Sequence, residues 1–224
     1  MNDLETVVLL VVAGVSAIGI NFIPPLSLPF ETFFTTVHEL GHGLVATLTG
    51  GKFVGYVVKK QDIIGGTSSQ FGGVTFFVAQ AGYLSEAVVS AGLIILGGTE
   101  SIARPAAAGL GVILILLVLV FAQSNCLTLY SGVLWGMAFV GVAIQANLVW
   151  SIFLINFLAF FGGVSTFAGL RILFSGSSDL ETKTDAKIMA ELTGCPAIFW
   201  TLLWTLISFL LLVGAFWLTW GPRL

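Results

Sequence analysis

The chain alternates between long apolar runs and short polar, glycine or proline breaks. Seven runs stand out: residues 7–23, 30–49, 78–98, 105–122, 126–144, 148–170 and 197–220. Each approaches the roughly 20 apolar residues that an α-helix needs to cross a bilayer core. Pro24-Pro25 ends the first run and Gly50-Gly51 the second, while Pro105 opens the fourth at a first-turn position where proline is tolerated. The count falls to six if the fourth and fifth runs are partly re-entrant or the first lies flat. The pattern predicts one integral membrane domain over residues 1–224. Its class is an all-α polytopic membrane protein with about 6–7 transmembrane helices and a short β-hairpin-like insertion after the second.

Two stretches break the helical pattern. Residues 51–77 carry short β-branched and aromatic runs, K-F-V-G-Y-V-V-K-K and V-T-F-F-V, separated by Gly65-Gly66 and Gly72-Gly73. Such runs between glycine turns predict β-strands. Residues 175–194 form the most polar stretch, with Asp179, Glu181, Lys183, Asp185, Lys187 and Glu191. Their later part, 185–192, predicts a short helix begun at Asp185 and stopped by Gly194 and Pro196.

Composition agrees with this reading. Hydrophobic residues make up 57% of 224 and charged residues only 8%, against about 25% charged in soluble domains. Eight Lys and Arg against eleven Asp and Glu leave a net charge of -3. No basic stripe is available for nucleic acid. Cys126 and Cys195 form no CxxC pair and read as small buried hydrophobes. The leader Met-Asn-Asp-Leu-Glu is acidic, so the first run reads as a retained span and not a signal peptide. With seven spans, Lys52, Lys59, Lys60, Arg171, Lys183 and Lys187 fall on the N-terminal side, and Arg104 and Arg223 on the other. The positive-inside rule then places the N-terminus in the cytoplasm. Trp150, Trp200, Trp204, Trp217 and Trp220 lie at span ends, as an interfacial belt would; Trp135 does not.

The chemistry concentrates in the second run, at His38-Glu39-Leu40-Gly41-His42. Residues four apart on a helix share a face, so both imidazoles can reach one metal ion, with Glu39 beside them to act on a water. The chain's only 2 histidines are both in this motif. Ionisable groups inside a span are costly and must face a cavity, a partner or a metal. That pattern is the arithmetic of a zinc hydrolase.

H-E-L-G-H-G-L-V-A-T-L-T-G-G (38–51), G-G-V-T-F (72–76), A-G-Y-L (81–84) and T-D-A-K-I-M-A-E-L-T-G-C-P-A-I-F-W (184–200) together resemble the site-2 protease family of intramembrane zinc metallopeptidases, more narrowly its B-type branch. The resemblance spreads over about residues 30–200. It implies Zn2+ held by His38 and His42, Glu39 as the catalytic base, and cleavage of a membrane-protein or peptide substrate in or near the bilayer. The family's third ligand is an Asp from a later helix in an Asn-Pro-Asp-Gly type of motif. That motif is absent here, and Asn156 has no acid after it until Asp179. Asp185 is the first candidate and Asp179 the second. His42 and His38 lie 7 and 11 residues before Thr49, roughly 10–16 Å deep at 1.5 Å per residue. The 185 segment enters the last span from that same side.

Glu86, in the third run, reads as a cavity-lining group, a metal neighbour, a proton relay or a partner for Arg104 or Arg171; Gln80 and Ser85 are weaker versions of the same. Residues 51–77 can offer an edge strand to an extended substrate or serve as a structural hairpin. Gly41, Gly43, Gly82 and Gly92 read as helix-packing positions. The missing Asn-Pro-Asp-Gly motif keeps a second function in view: a catalytically inactive relative that binds membrane partners. A solute transporter is disfavoured by the absence of paired broken helices.

Overall fold

The computed structural model describes residues 3–60, 64–98, 100–123, 125–145, 147–165 and 184–223. In chain order the elements are α1 (Asp3–Asn21), α2 (Pro24–Leu48), β1 (Lys52–Lys60), β2 (Ile64–Phe71), α3 (Thr75–Gly97), α4 (Glu100–Phe121), α5 (Cys126–Gln145), α6 (Leu148–Ser165), α7 (Asp185–Thr193) and α8 (Ala197–Trp220). A 3-10 turn, Gly221–Arg223, follows.

Among the described residues, six helices are long and apolar enough to cross a membrane: α1, α3, α4, α5, α6 and α8. The 25-residue α2 is not among them. Its length, about 37 Å at 1.5 Å per residue, would suffice, but Glu31, His38, Glu39 and His42 with four threonines lower its hydropathy. The prolines expected to end the first run instead open α2 at its first two positions, where a fixed φ and a missing N–H cost nothing. Pro29 sits inside the helix, and its carbonyl accepts hydrogen bonds from Trp135 Nε1 at 2.6 Å and Thr32 Oγ1 at 2.6 Å.

The insertion is an antiparallel hairpin running from Lys52 opposite Phe71 to Lys60 opposite Ile64, with an irregularity between Phe53 and Gly55. Gly55 has a positive φ of 154°, and a Cβ there would strike the Phe121 carbonyl at the end of α4. That approach lets Tyr56 bridge to Ala122, and the Tyr56 carbonyl accepts from Gln123 N at 3.2 Å. Thr128 Oγ1 accepts from Val58 N at 2.8 Å, which ties β1 to α5. Gly72 and Gly73, both at positive φ, return the chain to α3. The run V-T-F-F-V, expected as strand, instead opens α3 at Thr75.

Around this, α3 is the hub, packing against α2, α6, α7 and α8; α1 lies on α6, and α4 pairs with α5. The main core joins α1, α2, β1, α3, α4, α5 and α6 with the end of α8. A smaller core of Ala79, Ala186, Met189, Trp200 and Trp204 seats α7 between α3 and α8. The outward faces of α1, α4 and α8 expose leucine, valine and isoleucine, as lipid-facing helices do. Pro105 lies inside α4, whose first residue is Glu100. Trp150 and Trp217 are exposed, but Trp200, Trp204 and Trp220 are buried among helices and do not form a lipid-facing belt. Both cysteines are free, and Cys126 is exposed.

Candidate metal centre

The site is assembled by three helices. On α2, the four-residue spacing puts His38 and His42 on one face, their rings 4.8 Å apart. α3 supplies the opposing wall. Asp185 is the first residue of α7, whose start is capped by Thr184: its hydroxyl accepts from Lys187 N. Gly194, in the left-handed conformation, ends α7 and turns the chain into α8. This short capped helix delivers the carboxylate to the imidazoles.

The distances bring together three groups that could hold a metal ion. Asp185 Oδ2 lies 3.1 Å from His38 Nε2 and 3.4 Å from His42 Nε2. One ligand atom from each of the three residues can be chosen so that all lie within 4.8 Å of one another. Each imidazole is also held from behind. His42 Nδ1 stands 2.7 Å from the Val78 carbonyl. A carbonyl only accepts, so Nδ1 carries a proton, the arrangement in which Nε2 faces Asp185 either as a proton donor or, with a cation between them, as a lone pair. His38 Nδ1 stands 2.8 Å from Glu86 Oε1, and an ionised carboxylate imposes the same tautomer. Two Nε2 lone pairs facing a carboxylate oxygen repel one another unless a proton or a cation sits among them. Nitrogen, nitrogen and oxygen donors of this kind suit zinc, and the outer hydrogen bonds are those that orient metal-binding histidines. The donor set fits the ion.

Burial alone would push the Asp185 carboxyl up, but hydrogen bonds with His38 and then His42 carry it well below the usual carboxylate range. The wall is aromatic. Tyr83 meets the His38 ring edge-on at 4.9 Å and stacks on Trp204 at 5.2 Å. Trp204 Nε1 donates to Gln80 Oε1 at 3.4 Å. His38 lies directly over Gly82, where any Cβ would strike the imidazole. Gly41 leaves room for Ser85, whose hydroxyl donates to the Gly82 carbonyl at 2.7 Å and the Val37 carbonyl at 3.1 Å. Glu39, one residue on from His38, is buried.

Of the residues singled out in the sequence, His38, His42, Asp185 and Glu86 come together; Asp179 lies outside the described residues. Glu86 pairs with His38. Three of the four glycines read as packing positions do admit a neighbour: Gly41 admits Ser85, Gly43 admits Phe53 of β1 and Gly82 seats His38; Gly92 faces open space and packs against nothing. Sequence reasoning missed the Val78 carbonyl and the Tyr83–Trp204 wall. A backbone acceptor leaves no mark on the sequence. Tyr83 and Gly82 do stand in the A-G-Y-L block, which was the available signal.

A multi-span helical membrane protein whose HExxH helix meets an aspartate from a later helix belongs to the class of membrane metallopeptidase-like proteins. The chain matches the Peptidase M50B-like family over residues 11–215, nearly its whole length, and belongs to that family. No curated protein and no solved structure matches the chain.

Proposed function

We propose that the protein is an intramembrane zinc endopeptidase, with His38, His42 and Asp185 as metal ligands and Glu39 as general base. One observation carries this reading: both His Nε2 atoms converge on Asp185 Oδ2 while both Nδ1 atoms are engaged from behind. Zinc, when bound, supplies Lewis acidity and lowers the pKa of a water. The chain's own residues do the rest. Glu86 and the Val78 carbonyl fix the imidazole tautomers, and α7 brings the carboxylate. Glu39 removes the proton from the attacking water and passes it to the departing amine. The substrate is a membrane-protein segment or peptide, admitted from the cytoplasmic face by the lysine distribution.

The test is zinc content and cleavage of a transmembrane peptide by purified protein. Glu39→Gln should keep stoichiometric zinc and lose cleavage. His38→Ala and Asp185→Asn should lose both. Zinc retained in full by Asp185→Asn would remove Asp185 from the ligand set.

A further inference from the structure

The three proposed ligands are not held alike. Each imidazole has an outer hydrogen bond, His38 to Glu86 and His42 to the Val78 carbonyl. The Asp185 carboxylate meets the two imidazoles, and among the described residues no hydrogen bond holds it from behind. Its position therefore comes from the seating of α7. Asp185 stands 8 residues before Thr193, which makes α7 a lever of about 12 Å at 1.5 Å per residue. A tilt of about 5° at the Thr193 end moves the carboxylate by about 1 Å. A metal site tolerates only about 0.2 Å in its ligand distances.

Two contacts resist that tilt. Met189, one turn after Asp185 and fully buried, packs in the small core with Trp200 and Trp204 of α8. At the far end, Thr193 Oγ1 donates to the Met189 carbonyl at 2.6 Å. It accepts from Cys195 N at 3.3 Å and from Trp200 Nε1 at 3.1 Å. The Trp200 bond is the one that crosses from α7 to α8. Trp204 lies four residues on, along the same face of α8. It stacks on Tyr83, which meets His38, and its Nε1 donates to Gln80 of α3. One face of α8 thus reaches both sides of the site.

We propose that Trp200 is a positioning residue for Asp185: its bond to Thr193 fixes the pitch of α7 and so sets the carboxylate against His38 and His42. The inference rests on Asp185 as a metal ligand. Trp200 acts through α7 and takes no part in proton transfer.

The test is zinc affinity of the purified full chain by chelator competition, with helix content and Tm measured alongside. Trp200→Phe keeps an aromatic ring in the core and removes the indole N–H. Thr193→Val removes the hydroxyl at an exposed position, where it opens no cavity. Each should weaken zinc binding about 10-fold, the lower end for outer-shell partners. The two together should weaken it no more than either alone, because they break one bond. Thr193→Ser should keep the parent affinity. In Asp185→Asn, neither change should weaken the residual binding further. Parent affinity in both Trp200→Phe and Thr193→Val overturns the proposal even if Tm falls, since the corner then serves stability alone. Additive losses overturn it because they mean no shared bond. Equal losses with and without Asp185 overturn it because they mean a general loosening of the fold. If Trp200→Phe does not fold, the comparison of Thr193→Val with Thr193→Ser decides. Full zinc affinity in Asp185→Asn would sink the ligand reading and this proposal with it. Weakened binding in Asp185→Asn, with no effect of the Trp200 and Thr193 changes, sinks this proposal only.

Discussion

Two antiparallel helix pairs use glycine in opposite ways. In α4 and α5, Gly111 and Gly136 face each other so closely that a Cβ on Gly111 would stand 2.6 Å from the Gly136 carbonyl, and one on Gly136 2.8 Å from the Gly111 carbonyl. The space is filled by backbone carbonyls together with the apolar side chains of Ile115 and Val140. This is small-residue packing of membrane helices, driven by van der Waals contact where no hydrophobic effect operates. In α2 and α3, Gly82 opens similar space, but an imidazole fills it. The difference follows from what the helices carry. α5 has no Asp, Glu, Lys, Arg or His, and α4 has Glu100 and Arg104 only at its start. α2 and α3 bring His38, Glu39, His42 and Glu86 between packed helices, and each needs a partner there. Accordingly the α3 span is 56% buried, whereas α4 is 22% buried and faces lipid. The same residue type closes a seam in one pair and builds a polar site in the other.

The strongest way to break this comparison is Gly82→Ala. A methyl there displaces His38, so zinc affinity should fall more than about 100-fold, beyond the range for disturbed outer-shell groups. Helix content by circular dichroism should not change. Full zinc loading would show that Gly82 is another packing glycine. Gly136→Ala is the converse. Overpacking against Gly111 should destabilise the protein by about 1–3 kcal/mol, measured by unfolding, while zinc binding per folded molecule stays intact. Loss of zinc in the folded variant would mean that the two pairs are not separable.

Much of this is legible in the sequence. Apolar runs mark the helices because every backbone polar group in a bilayer must be satisfied internally, and the bounds of α5, α7 and α8 follow closely. Composition failed where one letter has two uses. Pro24-Pro25 reads equally as the end of α1 and the start of α2, and V-T-F-F-V suits a strand until Gly72 and Gly73 turn it into α3. In the site, the histidine spacing and the shared side of Asp185 could be worked out from helix geometry. The Val78 carbonyl could not, because it belongs to the backbone. Gly82 reads as packing because the residue lacks a side chain to declare its neighbour.

Glu86 sharpens the comparison most finely, since it is the one acid in the body of α3. In an α4-like helix a buried carboxylate would be only a burden, and replacing its charge would stabilise the protein. Here it holds His38 Nδ1 at 2.8 Å. Glu86→Gln keeps the shape and one acceptor oxygen but removes the charge that makes the imidazole a stronger donor to metal. Zinc affinity should therefore fall about 10-fold, the lower end for such partners, with the apo protein no less stable than the parent. Glu86→Leu, which also removes the acceptor, should fall further and release the ring. The ratio of the two affinities separates the hydrogen bond from the charge. If Gln binds zinc as tightly as Glu, the carboxylate only orients the ring. If both variants bind normally, Glu86 lines the site without serving it, and α3 is nearer to α4 than its buried acid suggests.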